Sequence, residues 1–296
     1  MRPSTLASEI QDILIENGFT CTMESAQDHC ILKVELSQDI IRIVLPIDIA
    51  ARSSHEALLR YEKTRQCING IIESYGTNPI IITEDRWYSQ KEMMTSRLLA
   101  HLERFTPIYA RNCEVRRIEK DQAAAFLESN HSYGDAACRY RYGLFLKRHT
   151  GRISMMSDLI ESGTLVAVAE FSNARKWIKG DLTIKSYEWI RYASLPGLRI
   201  SGGMGKILKQ FIKEVKPDDI MSYADTEWSE GSVYEKLGFI LEGVKEPVLF
   251  QIRENEWTRF PLKKGEVSTD PNIDDGNLYF QNFGSNKYRL KLTDYK

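Results

Sequence analysis

The stretch 188–239 constrains this chain more than any other. It reads EWIRYASLPGLRISGGMGKILKQFIKEVKPDDIMSYADTEWSEGSVYEKLGF. A strand pattern over 187–194 leads into a glycine-rich turn made of Ile200, Ser201, Gly202, Gly203, Met204, Gly205 and Lys206. The turn opens a helix over 203–215. A second strand follows over 219–223, then a short helix over 229–237 that closes on Leu-Gly-Phe. Glycine lets the backbone take positive φ and approach a ligand closely. The free N–H groups at a helix start, aided by the helix dipole, suit an anion. Arg199 and Lys206 add positive charge. Alone, such a pattern is more often plain helix capping. It is not a Walker A loop, because no Gly-Lys-Ser/Thr follows four spacer residues. It is also a poor Rossmann fingerprint, since this strand–helix unit comes late, after antiparallel strands.

The rest of the chain sets the frame for that stretch. Its 296 residues are enough for two ordinary domains. Hydrophobic residues make up 42%, so sizeable cores can form, and a net charge of -1 excludes a molecule that is basic as a whole. No apolar run is long enough to span a bilayer, so no membrane partner is expected. The N-terminal MRPSTLASEIQDILIENGF is an amphipathic helix pattern with acidic residues, not a signal peptide. Cys21, Cys30, Cys67, Cys113 and Cys138 form no CxxC pair, which argues against a zinc ribbon or a disulfide framework. A reducing cytoplasm is the expected location.

Periodicity predicts an α/β (α+β) protein in three parts. Residues 1–108 read as a small α/β domain: a helix over 5–18, strands over 30–36 and 40–46, a helix over 55–75 capped by Ser54 with Leu58, Leu59, Cys67, Ile71 and Ile72 buried, a strand over 79–83, and a helix over 89–104. Residues 109–257 read as a mixed-sheet domain, with strands over 140–147 and 164–171 able to pair antiparallel. Residues 258–296 form an extension with a flexible linker over 266–275 and a final hairpin over 277–292.

The ending Tyr234-Glu-Lys-Leu-Gly-Phe239 adds a second signature after the glycine turn. With it, residues 112–252 resemble the GNAT superfamily of N-acetyltransferases. The resemblance implies that residues 200–206 bind the pyrophosphate of acetyl-CoA. It implies that the pantetheine arm lies in a splay between the strands at 187–194 and 219–223, and that Tyr234 protonates the departing thiolate. An amine-bearing acceptor would be acylated. The family's usual form is Gln/Arg-x-x-Gly-x-Gly/Ala; aligning Gly203 and Gly205 puts Ile200 at its first position, a departure from the pattern.

A narrower resemblance rests on EDRWYSQKEMMTSRL (84–98), IYARNCEVRRI (108–118), ESNHSYG (128–134), ISGGMGKILK (200–209) and the SYADTEWSEGSVYEKLGF run (222–239). These segments are similar to phage and mobile-element proteins that join a very-short-patch-repair-like nuclease module to a GNAT-like module. More distantly, the second module is similar to the Mu-phage Mom proteins, which modify DNA adenine. The nuclease-like module is expected to be degenerate: Glu35 and Asp48 do not have the required spacing, and His55, Glu84 and Asp85 are at most remnants.

Four residues are candidates for catalysis: Tyr234, Asp225, His131 and Glu188. His131 lies in a loop that the family places over the acceptor side, with a solvated surface histidine as the alternative. Asp225 follows a strand end, where chemistry sits in open α/β sheets; capping of the next segment is its alternative. Both are expected to converge, and under the Mom-like alternative they would contribute to an iron site. No metal site is assigned. Glu188 lies on a strand where several GNAT enzymes keep a general base. Alternation puts Glu188, Ile190, Tyr192 and Ser194 on one face and Trp189, Arg191 and Ala193 on the other. Arg139, Arg141, Lys147, Arg148 and Arg152, interleaved with Tyr140 and Tyr142, suit DNA contact or a solvated strand face. A non-enzymatic DNA-associated protein is the remaining alternative.

Overall fold

The computed structural model describes residues 5–26, 29–37, 40–147, 160–229, 231–253, 255–263 and 276–295. The chain begins with α1 (Thr5–Glu16), β1 (Thr20–Ala26), β2 (His29–Ser37), β3 (Ile40–Ile47), α2 (Ser54–Tyr75), β4 (Ile80–Thr83), α3 (Glu84–Ser89) and α4 (Lys91–His101). There follow β5 (Thr106–Tyr109), a short 3-10 turn at Ala110–Asn112, β6 (Cys113–Arg117), α5 (Lys120–Asn130), β7 (Tyr140–Leu146) and β8 (Leu165–Phe171). Next are β9 (Arg175–Lys179), β10 (Leu182–Ser194), β11 (Leu198–Ser201), α6 (Gly203–Val215) and β12 (Asp219–Asp225). The chain ends with α7 (Ser232–Lys236), β13 (Ile240–Lys245), β14 (Leu249–Arg253), β15 (Thr258–Pro261), β16 (Leu278–Gln281) and β17 (Ser285–Lys291). The class is mixed α/β, as the periodicity predicts.

Two compact units divide the chain, and neither is contiguous in sequence. The first takes in Met1–Leu102, Asp225–Glu230 and Lys245–Ser285; the second takes in Glu103–Ala224, Gly231–Val244 and Asn286–Lys296. Cuts at 108 and 257, drawn from local pattern, therefore differ from this division. The reason is packing. Ile252 of β14 and Leu278 and Phe280 of β16 share a core with Ile43, Leu45, Cys67 and Ile71, so β14–β16 complete the first unit instead of forming an extension. The expected final hairpin is also corrected. β16 pairs antiparallel with β14, whereas β17 lies between β12 and β13 in the large sheet.

In the first unit, β1, β2 and β3 form an antiparallel meander and β4 joins parallel to β3. α1 turns Leu6, Ile10 and Leu14 onto Leu32, Val34, Val44 and Ile82. Burying each such side chain contributes about 1.5–3 kcal/mol. α2 is capped by Ser53, not Ser54: the Ser53 hydroxyl accepts from Glu56 N at 3.2 Å. Its packed face is Ala57, Thr64, Cys67 and Ile71, while Leu58, Leu59 and Ile72 stay exposed.

The second unit is built on one sheet, in the order β13-β17-β12-β10-β8-β7-β6, with β9 also paired to β10. β6 through β10 pair antiparallel, apart from the β10–β12 pair, which is parallel. α6 covers one face: Phe211 stacks on Phe171 at 4.0 Å between ring centroids, and Tyr140, Tyr142 and Tyr187 meet it edge-on. α5 covers the other face, where Ala123, Phe126 and Leu127 pack against Val168 and Ala193.

Candidate active site

The parallel pair at the centre of the second unit opens into a fork. β10 and β12 pair from Ser186↔Asp219 to Trp189↔Ser222 and no further. β10 nevertheless continues to Ser194 on its other neighbour, β8, and β12 runs on through Tyr223 and Ala224. Beyond Trp189 and Ser222 the facing backbone edges share no ladder. Such edges carry donors and acceptors that a ligand can meet.

Tyr234 stands at the apex of this fork. The Ser222 hydroxyl lies 2.9 Å from the Trp189 carbonyl and 2.9 Å from the Tyr234 phenol oxygen. Ser222 has one proton; if it donates to the carbonyl, it accepts from the phenol. The ring is held by stacking on Tyr288 at 5.3 Å and by an edge contact with Phe239 at 5.6 Å. Burial raises the phenol above its ordinary value, opposed by the Ser222 bond. Tyr234 therefore keeps its proton at neutral pH. The Lys-x-Gly-Phe residues earn their place here, since Phe239 closes the far side of the ring.

The glycine turn lies at the end of β11. β11 pairs parallel with β5, Ser201 opposite Tyr109, which sets the 3-10 turn at Ala110–Asn112 beside Gly202. Gly202 has φ 77 and precedes the first residue of α6, a conformation that favours glycine. A Cβ there would meet only Ala110 Cβ, at 3.6 Å. At Gly203 a Cβ would lie 2.8 Å from Ile200 Cγ2 and 3.0 Å from the Tyr192 hydroxyl oxygen. Gly203 is thus required for seating α6 on β10 and β11, and Ile200 is a buried wall of the turn. The first N–H groups of α6 have no intrahelical acceptor, and its first turn carries no acid. Lys206 is placed otherwise than expected. Its ammonium donates to the carbonyls of Ala110 at 2.8 Å and Cys113 at 2.6 Å, so it ties the neighbouring turn to the helix. Exposed cations nearby are Arg199, over the Phe105 ring at 5.0 Å, and Arg111, over the Tyr109 ring at 4.8 Å. An open, acid-free helix start with positive-φ backbone fits a pyrophosphate.

The face assignment along β10 needs correction. A bulge lies between Trp189 and Arg191, after which Arg191 stands opposite Glu170 and Tyr192 opposite Ala169. Bulges insert a residue and shift the alternation. Tyr187, Trp189 and Tyr192 all belong with the α6 core, whereas Ala193 belongs with α5. Glu188, between Tyr187 and Trp189, faces away from α6, and Arg191 shares that side with Glu170. Glu188 and Tyr192 are therefore separated, contrary to simple alternation.

The remaining candidates fall in different units. His131 follows α5 in the second unit, and its Nδ1 accepts from Tyr133 N at 3.1 Å. Asp225 falls in the first unit. There its carbonyl accepts from Trp228 N and Ser229 N, and its Oδ1 accepts from Glu227 N at 3.0 Å, which is turn-closing geometry. Among the described residues no group of three or more His, Cys, Asp or Glu could hold a metal ion. The basic run divides. Arg141 turns to the buried Glu170 at 3.4 Å, Arg139 lies over the Tyr140 ring at 5.9 Å, and Lys147 N binds Asn112 O. Arg148 and Arg152 lie outside the described residues. No helix among these residues is long and apolar enough to cross a membrane.

Ser222 and Tyr192 were missed by motif reading. Ser222 sits in the otherwise apolar Ile220–Met221–Ser222 step, where a buried hydroxyl must find a partner; that was the available signal. Tyr192 carried none, because its face depends on the bulge.

No protein-family model matches this chain, and no curated protein matches it in sequence. Solved structures do align to it. The NatC complex bound to Gag peptide and CoA aligns at 13% identity and TM-score 0.34, over 62% of this chain and 99% of that chain. An acetyltransferase (GNAT family) from Bacillus anthracis aligns at 14% identity and TM-score 0.32, over 61% and 95%. The histone acetyltransferase HPA2 and related acetyltransferase from Corynebacterium glutamicum aligns at 10% identity and TM-score 0.35, over 62% and 99%. Values this low carry no argument about activity; the functional reading stands on the fork, the glycine turn and Tyr234.

Proposed function

We propose that the second unit is an acyl-CoA-dependent N-acyltransferase acting on an amine. One observation carries the reading: a parallel strand pair that parts at Trp189 and Ser222, with a protonated tyrosine hydrogen-bonded at the point of parting. Gly202, Gly203, Met204 and Gly205 would hold the pyrophosphate through backbone N–H groups, with Arg199 and Arg111 as flanking cations. The edges of β10 and β12 beyond the fork would hold the extended arm. Acetyl-CoA supplies an activated thioester, at whose acyl carbon the amine nitrogen forms a C–N bond as the C–S bond breaks. Tyr234 gives its Oη proton to the departing sulfur and stabilises the charge that develops there. Glu188, on the face away from α6, takes the surplus proton from the attacking nitrogen. Burial keeps water from the phenol while substrates fill the fork; after the products leave, solvent returns a proton to Tyr234 and takes one from Glu188.

The test is release of free thiol from acetyl-CoA with a panel of amines: small polyamines, peptides with a free N-terminus, and amino-bearing nucleic acid. The reading expects acyl transfer to at least one class, lost in Tyr234→Phe. Absence of CoA binding by the folded protein would sink it.

A further inference from the structure

One end of the large sheet, on the side that α6 covers, gathers basic side chains that acyl transfer does not use. A cavity of about 530 Å³ opens there, lined by Arg117, Arg139, Tyr140, Glu214 and Val215. Arg117 ends β6 and lies over the rings of Tyr140 at 4.6 Å and Tyr142 at 5.0 Å. Its Nε donates to Glu214 Oε1 at 2.8 Å, and its Nη2 stands 2.6 Å from the same oxygen. The other Glu214 oxygen accepts from the Tyr142 hydroxyl at 2.8 Å. Glu214 is thus fully engaged, and Arg117 is ring-backed and held in place with its Nη1 uncommitted among the described residues. Arg139 is exposed, 5.9 Å from the Tyr140 ring, with no acidic partner among the described residues.

Three further elements add cations. Lys213 and Lys216 are exposed in the last turn of α6 and just after it. Lys185 of β10 is two residues from Tyr187, a member of the core under α6, and so shares its side of the sheet. Lys176 of β9 stands directly opposite Lys185, and both are exposed. Like charges directly opposite on paired strands are destabilising, and no described acid pairs with either ammonium. Backbone bonds hold these pieces together: Arg139 N donates to Phe171 O at the end of β8, and Asp218 N donates to Lys185 O. The Asp218 carboxylate is itself engaged, accepting from Lys185 N at 2.7 Å and lying 3.3 Å from the Thr293 hydroxyl.

Lysines at a helix end complement its dipole. That accounts for Lys213 and Lys216 and for none of the other four cations. A chain of regularly spaced negative charge fits all of them, and a duplex strand carries a phosphate about every 3.4 Å along its axis. Guanidinium groups match phosphate oxygens, and a ring-backed guanidinium beside a cavity gives a base something to stack on. Ile178, 80% exposed and on the same face as Lys176, adds apolar contact. We propose that this end of the sheet is a nucleic-acid-binding surface, with backbone phosphates on the six cations and one nucleotide in the cavity between Arg117 and Arg139. The surface lies at the opposite end of α6 from the glycine turn, about 20 Å along the helix. It does not rest on the acyltransferase reading.

Fluorescence anisotropy of the full chain with labelled single- and double-stranded oligonucleotides of about 16 nucleotides tests it. Affinity should fall steeply between about 50 and 200 mM salt. Arg139→Gln removes one phosphate contact, so it should weaken binding to every sequence alike and lower the salt slope by roughly one. Lys185→Glu places an acid opposite Lys176. It should weaken binding by roughly tenfold or more while holding or raising the urea midpoint, a combination that a merely structural lysine would not give. No salt-dependent binding by the folded chain, or an unchanged affinity and slope in either variant, overturns the proposal. So does displacement of the oligonucleotide by polyglutamate, or by phosphatidylserine–phosphatidylcholine vesicles, as readily as by unlabelled oligonucleotide; the surface would then serve an acidic peptide or a membrane. Loss of CoA binding would leave the result untouched.

Discussion

Gly203→Ala is the sharpest perturbation of the glycine turn. The added carbon would lie 2.8 Å from Ile200 Cγ2, 3.0 Å from Ile200 Cβ and 3.0 Å from the Tyr192 hydroxyl oxygen. Carbon contacts relax near 3.5–4.0 Å, so the shortfall at the nearest atom is roughly 0.7 Å or more. Ile200 is buried and cannot step outward into solvent. Overpacking of this kind costs about 1–3 kcal/mol. Alanine gains up to about 1 kcal/mol of helix propensity over glycine, less at a first helical residue. The net loss should be about 1–2 kcal/mol. The helix start must shift as well, and each hydrogen bond it gives to a charged phosphate is worth about 1.5–3 kcal/mol. One lost bond weakens CoA by roughly 10- to 100-fold. Urea unfolding reads the first effect and calorimetric titration with CoA reads the second. In an Ile200→Ala background, itself destabilised by about 2–5 kcal/mol, Gly203→Ala should cost less than it does alone, because the clashing Cγ2 methyl is gone. A Gly203→Ala protein with unchanged stability and CoA affinity within twofold would refute this account of the turn.

Tyr234→Phe keeps the ring on Tyr288 and removes the proton donor. Steady-state kinetics should show kcat down by about 100-fold or more with KM little changed. Arg259 pairs with Asp85 through both carboxylate oxygens and donates to Thr83 Oγ1 at 2.8 Å. Arg259→Met leaves that buried carboxylate alone and should cost about 3–5 kcal/mol by urea unfolding. Burial acts to raise Asp85, but Arg259 and Thr83 hold it below its ordinary 3.8. Its contribution is therefore present above that value and lost as pH falls through the lower folded one, an acid-side slope that Asp85→Asn should remove. Burial raises Glu227 above 4.5, beyond what Arg259 offsets. The native chain then binds the extra proton, so stability declines as pH rises from about 4.5 toward the raised value. Glu227→Gln should flatten that decline in the urea midpoint.

The second unit was legible because its signals are local. The glycines at 202, 203 and 205 mark a helix start, and Tyr234 with Phe239 marks the ring that closes the fork. The parallel neighbours at 187–194 and 219–223 followed from that order. The faces of β10 were not legible, since the bulge after Trp189 is set by its pairing to β8. The unit boundaries were hidden for a similar reason. The Ile252, Leu278 and Phe280 positions read as ordinary strand residues, and only tertiary packing assigns them to the core of α2 and β3. Glu170 is a lone acid in the apolar LVAVAEF run. Its neighbours Arg141 and Arg191 become visible only when three strands fall into register. His131 and Asp225 show the limit of loop residues: each has a local hydrogen-bond task that spacing alone does not reveal.

The central claim is that CoA lies from the start of α6 into the fork of β10 and β12. Amide NMR of the protein titrated with CoA tests it most directly. The account predicts saturable shifts at the amides of Gly202, Gly203, Met204 and Gly205 and at those of Ile190–Tyr192, all weakened in Gly203→Ala. Saturable shifts confined to other amides, or none in folded protein at CoA concentrations on the order of the millimolar upper range for enzyme substrates, would contradict it.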